Sequence, residues 1–276
     1  MSAVAQPAPS PRWRPTPVIA GTFGLHGAAL LAVLLGPEEW AWWVAACIAG
    51  NHAVLTAIGL WPRSTLLGPN FNRLPANAIA RGEIALTFDD GPDPDVTPKV
   101  LDLLDAHGAH ATFFCIAENA ARHPELCREI ARRGHVVENH SSEHQLTFAM
   151  QGSAGIRKEI TAAQDTLSAL TGKPPRFFRA PAGMRNPLLD PVLHDLGLRL
   201  VSWTRRGFDT RENDPRRVAA RLLEGLAAGD ILLLHDGHSA RTSTGVPVVL
   251  EVLPQLLAAA RHAGLRPVTL AQAIDP

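Results

Sequence analysis

Short apolar runs alternate with helical patterns from residue 84 to residue 270, and this alternation decides the fold class. Seven runs are typical of buried strands, at residues 84–88, 111–116, 135–138, 176–179, 198–203, 230–234 and 266–270. Helical patterns begin at Thr97, Ser153 and Asp214, and a fourth covers residues 246–263. A repeated order of strand and helix predicts a parallel sheet whose faces are covered by helices.

Polar side chains stand where several of these strands end. Asp89, His140, Arg179, Asp209 and His235 all fall at, or just beyond, the carboxyl end of a predicted strand. Because the carboxyl ends of parallel strands meet at one rim, we expect these five side chains to be neighbours. Active sites of parallel β/α folds are built at this rim, so the pattern predicts an active site there.

Two of the strand ends carry residues that can bind a metal ion. Asp89 and Asp90 follow an apolar strand, and His140 and His144 have a spacing that places both imidazoles on one face of a helical turn. Alone, such a histidine pair is more often a surface feature, and Asp89 could be a turn residue. Together they predict a divalent ion on Asp90, His140 and His144, with Asp89 free to take a proton.

The chain resembles the polysaccharide deacetylase family, which corresponds to carbohydrate esterase family 4. The resemblance rests on five motifs in order, at residues 87–91, 140–144, 179–183, 203–209 and 233–235, and it runs from about residue 80 to the C-terminus. It implies a distorted, incomplete β/α barrel of about seven parallel strands, whereas the strand pattern alone leaves closure of the barrel open. It also implies metal-dependent hydrolysis of an N-acyl amide bond on an amino sugar.

The resemblance implies a role for the polar side chains of these motifs. Asp89 is expected to be the general base, Arg179 to anchor Asp89, and His235 to protonate the leaving nitrogen. Zn²⁺ is the favoured metal, with Co²⁺ or Ni²⁺ as alternatives. Its expected role is to polarise the acyl oxygen and to activate a water molecule.

An acid is also expected beside His235. Asp209 matches the fourth motif and is expected to hold the imidazole of His235 and keep it charged. This assignment is the least specific of the set, because Asp195 and Asp214 are other acids near strand ends.

The expected contacts with substrate depart from the family pattern. Ala182 and Thr210 stand where the family commonly carries aromatic residues. The backbone N–H of Ala182 can still contact the oxyanion, and Leu233 is expected to face the acyl methyl group. Trp203 is the candidate to replace the missing aromatic wall. The choice between acetyl and formyl groups therefore stays open.

Two uncharged apolar runs of about 20 residues precede the catalytic region, which is the length that crosses a hydrocarbon core. The sequence predicts a disordered start (1–16), a transmembrane hairpin with spans at about 17–36 and 40–61, a linker (62–80) and a catalytic domain (81–276). A signal anchor followed by a peripheral helix, or a pair of buried core helices, would be the alternatives.

The charges beside the two runs predict an orientation. Five arginines flank the runs on the outer sides, at positions 12, 14, 63, 73 and 81, whereas the short connection carries only Glu38 and Glu39. Positive residues stay in the cytoplasm, so both termini and the catalytic domain are expected there. The predicted location is the inner membrane, with two spans.

The leading functional hypothesis is a membrane-anchored hydrolase that removes an N-acetyl group from a polyprenyl-phosphate-linked amino sugar at the cytoplasmic face. Arg205 and Arg206 are candidates for the phosphate, although they could be solvated surface residues. The first alternative is a periplasmic or extracellular deacetylase of peptidoglycan or exopolysaccharide. The second is an inactive carbohydrate-binding or assembly subunit. With 26 basic and 26 acidic residues, the chain has no electrostatic signature of nucleic-acid binding.

Overall fold

A computed structural model describes residues 12–274, so most of the predicted disordered start lies outside the described residues. Within this range, eight strands form one parallel sheet. They are β1 (Glu83–Asp89), β2 (Thr112–Cys115), β3 (Val136–Asn139), β4 (Phe177–Phe178), β5 (Arg199–Leu200), β6 (Arg205–Arg206), β7 (Ile231–His235) and β8 (Arg266–Val268). The order across the sheet is β5-β4-β3-β2-β1-β7-β6, and β8 pairs with the first part of β1 beside β2.

The parallel, helix-covered sheet is confirmed, and so is the incomplete barrel. Among residues 12–274, no ladder joins the two edge strands, β5 and β6, so the curled sheet stays open on that side. All seven predicted strands are present. The additional strand, β6, consists of two arginines and has no apolar run that could have predicted it. Its pairing with β7 depends on the tertiary fold.

Eleven α-helices lie in the described part of the chain. They are α1 (Pro17–Leu35), α2 (Ala41–Gly59), α3 (Ala76–Ala80), α4 (Thr97–Ala106), α5 (Ala117–Arg122), α6 (Pro124–Arg132), α7 (Ser153–Thr171), α8 (Leu189–Asp195), α9 (Pro215–Leu223), α10 (Val248–His262) and α11 (Leu270–Ile274). The four predicted helices correspond to α4, α7, α9 and α10. Gly172 ends α7 in the left-handed conformation, at φ 70°.

The main hydrophobic core lies between the sheet and the outer helices. The rings of Phe88 on β1 and Phe113 on β2 stack with centroids 4.9 Å apart, and both side chains are fully buried. Leucine and valine side chains of α4, α9 and α10 cover them. This layer fixes the strands and therefore the positions of the polar residues at their carboxyl ends.

The N-terminal helices α1 and α2 stand outside this core. Each is 19 residues long, and both are apolar and long enough, by length and composition, to cross a membrane. Only 6% and 11% of the most apolar 18-residue stretch of each helix is buried, so they are not core helices of the catalytic domain. They contact each other through polar groups. Thr22 donates a hydrogen bond to Asn51 across 3.1 Å, and the rings of His26 and His52 meet edge to face at 5.4 Å.

Residues 62–80, expected to be a linker, pack against the catalytic domain. Leu67, Leu74 and Ala78 are buried, and the last of them belongs to α3. The N–H of Phe71 donates to the carbonyl of Leu200 at 2.9 Å, which places this segment beside the open edge of the sheet. The reason is that the segment carries apolar side chains, which a free linker would leave exposed to water.

Candidate metal centre and active site

The two aspartates of the site lie at the end of β1. Asp89 is the last residue of the strand and pairs in register with His235 of β7. Asp90 follows in the left-handed conformation, at φ 73°, so the chain turns sharply out of the sheet. A Cβ atom on Gly91 would come within 2.2 Å of the Asp236 carboxylate, so a larger residue here would displace the buried Asp236 side chain.

The two histidines lie on the loop after β3 and not on a helical turn, so the helical reason given for their spacing was wrong. Ser141 and His144 have positive φ angles of 65° and 54°, which fold the loop tightly. The carboxamide of Asn139 accepts from the N–H of Ser141 at 2.8 Å, and the Ser141 hydroxyl accepts from the N–H of His144 at 3.0 Å. These local bonds bring the rings of His140 and His144 to a centroid distance of 4.8 Å.

Asp90, His140 and His144 offer ligand atoms that lie within 4.8 Å of one another. One carboxylate oxygen of Asp90, Oδ1, is 3.3 Å from Nε2 of each histidine. This oxygen is buried and has no hydrogen-bond partner among the residues that the structure describes. A buried carboxylate oxygen of this kind, facing two imidazole nitrogens, fits a bound divalent cation.

The tautomer of His140 also suits a metal ligand. Its Nδ1 lies 2.9 Å from the carbonyl oxygen of Arg179, which can only accept, so Nδ1 carries the proton and Nε2 faces Asp90. Burial opposes the charged form of His140, yet Asp89 and Asp90 raise its pKa. Burial and the neighbouring His140 lower the pKa of His144 to about 4. The carboxylates thus attract a positive charge that a metal ion would supply.

Arg179 anchors Asp89, the aspartate that does not belong to the proposed ligand set. Its guanidinium is buried, donates to Asp89 at 2.6 Å and to Thr87 at 2.8 Å, and stacks over the ring of Phe114 at 4.1 Å. Burial lowers the pKa of Arg179, and Asp89 counteracts this effect. The other oxygen of Asp89 faces His140 at 3.7 Å. Arg179 therefore fixes one oxygen of Asp89 and leaves the other directed towards the metal ligands.

His235 and Asp209 form a buried pair. Nδ1 of His235 is 2.8 Å from one oxygen of Asp209, and the backbone N–H of His235 donates to the other oxygen, also at 2.8 Å. Burial alone would lower the pKa of His235, but Asp209 raises it to about 9. The alternatives have other partners: Asp195 pairs with an exposed arginine, and Asp214 caps α9.

These side chains surround a pocket of 290 Å³. Ala182, Trp203 and Leu233, the residues expected to contact substrate, are among those that line it. Ala182 has φ 54° in a tight turn over Pro181–Gly183, and the Trp203 ring packs so closely on this turn that a Cβ on Gly183 would lie 2.6 Å away. Arg179 and Asp209 stand behind the pocket, where they contact the base and acid candidates.

Three further residues that the sequence did not indicate line the same pocket, namely Leu146, Arg211 and His238. Nδ1 of His238 is 3.3 Å from Asp90. The sequence could have suggested this residue, because His238 is a second histidine three positions after His235. Burial acts to raise the pKa of Asp90, but the imidazoles of His140 and His238 lower it well below its usual range.

The two neighbouring arginines of β6 have different surroundings. Arg205 is turned away from the pocket and forms an ion pair with Asp230, which removes it as a candidate for substrate phosphate. Arg206 lines the pocket, and its guanidinium lies 5.3 Å from the ring of Trp203 and 5.0 Å from that of Phe208. Its Nε is buried without a hydrogen-bond partner in the described part of the chain. Arg206 is thus available to bind an anion.

Comparison with known proteins agrees with this geometry. The sequence model of the polysaccharide deacetylase family matches residues 77–201. A peptidoglycan-N-acetylglucosamine deacetylase of Bacillus cereus is 33% identical over 191 residues, which cover 68% of this chain and 86% of the relative. A chitooligosaccharide deacetylase of Azorhizobium caulinodans is 37% identical over 163 residues, which cover 57% of this chain and 75% of the relative.

A solved structure shows the same fold. The crystal structure of the peptidoglycan N-acetylglucosamine deacetylase Bc1960 superposes with a TM-score of 0.67 at 28% identity, over 74% of this chain and 92% of that protein. The sequence similarity, the open parallel barrel and the cluster of strand-end residues therefore agree. The chain belongs to the polysaccharide deacetylase family, and it is a metal-dependent hydrolase of the N-acetyl amide bond of amino sugars.

Proposed function

We propose that the protein is a membrane-anchored N-deacetylase that acts on a lipid-linked amino sugar at the cytoplasmic face of the inner membrane. The observation that carries this proposal is the packing of the helix pair on the catalytic domain. The indole N–H of Trp13 donates to Asp190 at 2.7 Å, and the hydroxyl of Thr16 donates to the carbonyl of Leu66 at 2.7 Å. The domain is thus held where α1 begins and α2 ends, so helices that span a bilayer would keep the active site at its surface.

The catalytic roles follow from the positions of the side chains. Asp90, His140 and His144 would hold the metal, for which we propose Zn²⁺ because two imidazoles and a carboxylate suit it. When bound, such an ion supplies a Lewis acid and lowers the pKa of a bound water molecule. Asp89, with one oxygen fixed by Arg179, accepts the proton of the attacking water.

The remaining steps are assigned to other residues that line the pocket. His235, protonated at neutral pH through its pairing with Asp209, donates a proton to the leaving amine nitrogen. The backbone N–H of Ala182 stabilises the oxyanion, while Leu233 and Trp203 contact the acyl group and the sugar. Arg206 and Arg211, which line the same pocket, supply positive charge for a phosphate group on the substrate.

The side of the membrane is tested by a reporter fused after Pro276. A fluorescent protein that matures only in the cytoplasm should be bright, and a phosphatase that is active only outside should be silent. The expected result follows from the five arginines beside the two apolar runs. An active phosphatase and a dark fluorescent protein would contradict the cytoplasmic location.

A second candidate function is deacetylation of peptidoglycan or an exported polysaccharide outside the membrane. It is favoured by the similarity to a peptidoglycan-N-acetylglucosamine deacetylase. The same fusion distinguishes the two, because an external catalytic domain would face the finished polymer and a cytoplasmic one would face its precursors.

A further inference from the structure

A second cavity, with a volume of 830 Å³, lies between the N-terminal helices and the catalytic domain. Its walls are mainly apolar, with Phe23 and Leu55 on the helix side and Leu146, Met150, Met184 and Leu188 on the domain side. We call this cavity the helix cleft. Its volume falls within the range of about 300–1,000 Å³ that is usual for binding sites of small molecules.

The helix cleft adjoins the catalytic pocket. Leu146 lines both cavities, and it follows His144, a candidate metal ligand, by two residues in the chain. The side chain of Leu146 is therefore a shared wall, and a molecule that occupies the helix cleft lies next to the active site.

The domain side of the helix cleft holds its apolar side chains outward in an ordered turn. Leu146 is 77% exposed and Met150 is 84% exposed, although Phe148 between them is buried against Phe178. The side-chain amide of Asn186 donates to the carbonyl oxygens on both sides of Met150, at 3.0 and 2.8 Å. Large apolar groups fixed in this way at the surface are typical of a surface that contacts lipid or another apolar partner.

The helix side of the cleft is joined closely to the domain. The N–H of Arg185 donates to the carbonyl of Gly59 at 3.1 Å, and a Cβ on Gly59 would lie 2.1 Å from the carbonyl oxygen of Arg185. The buried guanidinium of Arg185 also donates to the carbonyl of Ser64. Because these contacts fix the end of α2, the shape of the helix cleft is determined by the fold.

The helix cleft also has depth along the helices. On α1 its lining extends from Thr22 to His26, and α1 begins at Pro17, next to the domain. At about 1.5 Å per residue, Pro17 to His26 corresponds to about 14 Å, close to half of a hydrocarbon core of about 30 Å. If α1 crosses a bilayer, the helix cleft connects the active site with its hydrocarbon interior.

We propose that the helix cleft binds the hydrocarbon chain of a lipid-linked amino-sugar phosphate while its N-acetyl sugar occupies the catalytic pocket. This inference rests on the proposed function and names the part of the protein that selects for the lipid. The polar parts of such a substrate have a matching place, because Arg206 and Arg211 line the catalytic pocket and not the apolar cleft. Each half of an amphiphilic substrate therefore meets walls of its own polarity.

The test compares two substrates that differ only in the chain. The full-length protein in phospholipid nanodiscs is assayed with N-acetylglucosamine 1-phosphate esterified to farnesol or to methanol. Wild type should show a kcat/KM for the farnesyl ester at least about tenfold above that for the methyl ester, since burial of many methylene groups is favourable. In the double variant Met150→Glu, Leu188→Glu, this ratio should fall by about tenfold, because two carboxylates would line the apolar wall.

A matched control uses Val246→Glu, which adds a charge to another partly exposed apolar position of the catalytic domain outside the helix cleft. It should keep the wild-type ratio. If the double variant does not fold, Met150→Gln keeps the side-chain length and should lower the ratio in the same direction. An unchanged ratio in the folded variants, with wild type preferring the farnesyl ester, would overturn the helix cleft assignment and leave the proposed function standing. Equal kcat/KM values for both esters in wild type would instead reject the lipid-linked substrate itself.

Discussion

At the scale of single residues, two adjacent aspartates acquire different chemistry from their neighbours. Asp90 faces the imidazoles of His140 and His144, whereas Asp89 is bonded to the buried guanidinium of Arg179. Only Asp89 keeps an oxygen that is directed towards the site and is not needed to complete the ligand set. The division of labour between ligand and base thus rests on contacts from separate strands.

The variant Asp89→Asn tests this division. The amide has nearly the same shape, so the protein should fold and retain its metal, but it cannot take a proton at neutral pH. We expect kcat to fall by about 10²–10⁴-fold, the usual contribution of a general base. Metal content and acetate release are measured on the same sample. Asp90→Asn is the matched control and should lose the ion, and loss of the ion from Asp89→Asn would exchange the two roles.

His235 provides a test through pH. Asp209 raises the pKa of His235 to about 9, so the proton needed for the leaving group is present at neutral pH and is lost as the pH rises through that value. Asp209→Asn removes the anion and should move the alkaline limb of kcat/KM to lower pH. The pH profile is measured for wild type, for this variant and for Asp214→Asn, which should behave as wild type. An alkaline limb that stays in place in Asp209→Asn would show that Asp209 does not set the pKa of His235.

The sequence could predict the positions of those site residues that stand at the ends of strands. Asp89, His140, Arg179 and His235 could be placed at one rim because parallel strands share a direction. His238 and Leu146 could not, because both lie on irregular loops. A loop has no regular repeat, unlike a helix or a strand. The position of a loop residue in the chain therefore does not indicate where its side chain points.

At the scale of elements, β3 carries a buried acid whose proton is coupled to folding. Glu138 is 1% exposed and accepts hydrogen bonds from the N–H groups of Arg176 and Phe177 at the start of β4, at 2.6 and 2.7 Å. Burial raises its pKa to about 8, against the opposing effect of these bonds. The folded state therefore holds a proton that the unfolded chain releases above about pH 4.5.

This coupling predicts how stability depends on pH. The contribution of Glu138 is fully present below about pH 4.5 and is lost as the pH rises towards about 8, at about 1.4 kcal/mol per pH unit. Glu138→Gln keeps an acceptor for both N–H groups and should make the unfolding midpoint less dependent on pH between these values. Glu251→Gln, on the exposed side of α10, is the control. A pH dependence equal to that of wild type in Glu138→Gln would show that Glu138 is ionised in the folded protein.

The long helices could be predicted from the sequence, whereas the shortest helices could not. Asp214 and Pro215 occupy the N-cap and first-turn positions of α9 and indicate where this helix begins. Gly172 indicates where α7 ends. By contrast, the loop that carries His140 and His144 was predicted as a helical turn. The side-chain bonds of Asn139 and Ser141 fold it differently, and such local bonds compete with helix formation without changing the spacing of residues.

At the scale of the whole molecule, the two apolar helices and the catalytic domain are packed together. The apolar runs and their flanking arginines could be recognised in the sequence, because length and charge alone define a candidate span. The packing of residues 62–80 and the helix cleft could not be recognised, since both depend on contacts between distant parts of the chain. Under the proposed function, these contacts keep the catalytic pocket next to the membrane surface.

Acetate release by the full-length protein tests most directly whether this fold is a metal-dependent N-deacetylase. The substrate is an N-acetylglucosamine tetramer, and the protein is assayed as purified, after removal of metal by a chelator, and after addition of one equivalent of Zn²⁺. We expect release to stop with the metal and to return with Zn²⁺, while the double variant His140→Ala, His144→Ala neither binds the ion nor recovers. Unchanged acetate release from the metal-free protein, or from this double variant, would contradict the assignment of the site.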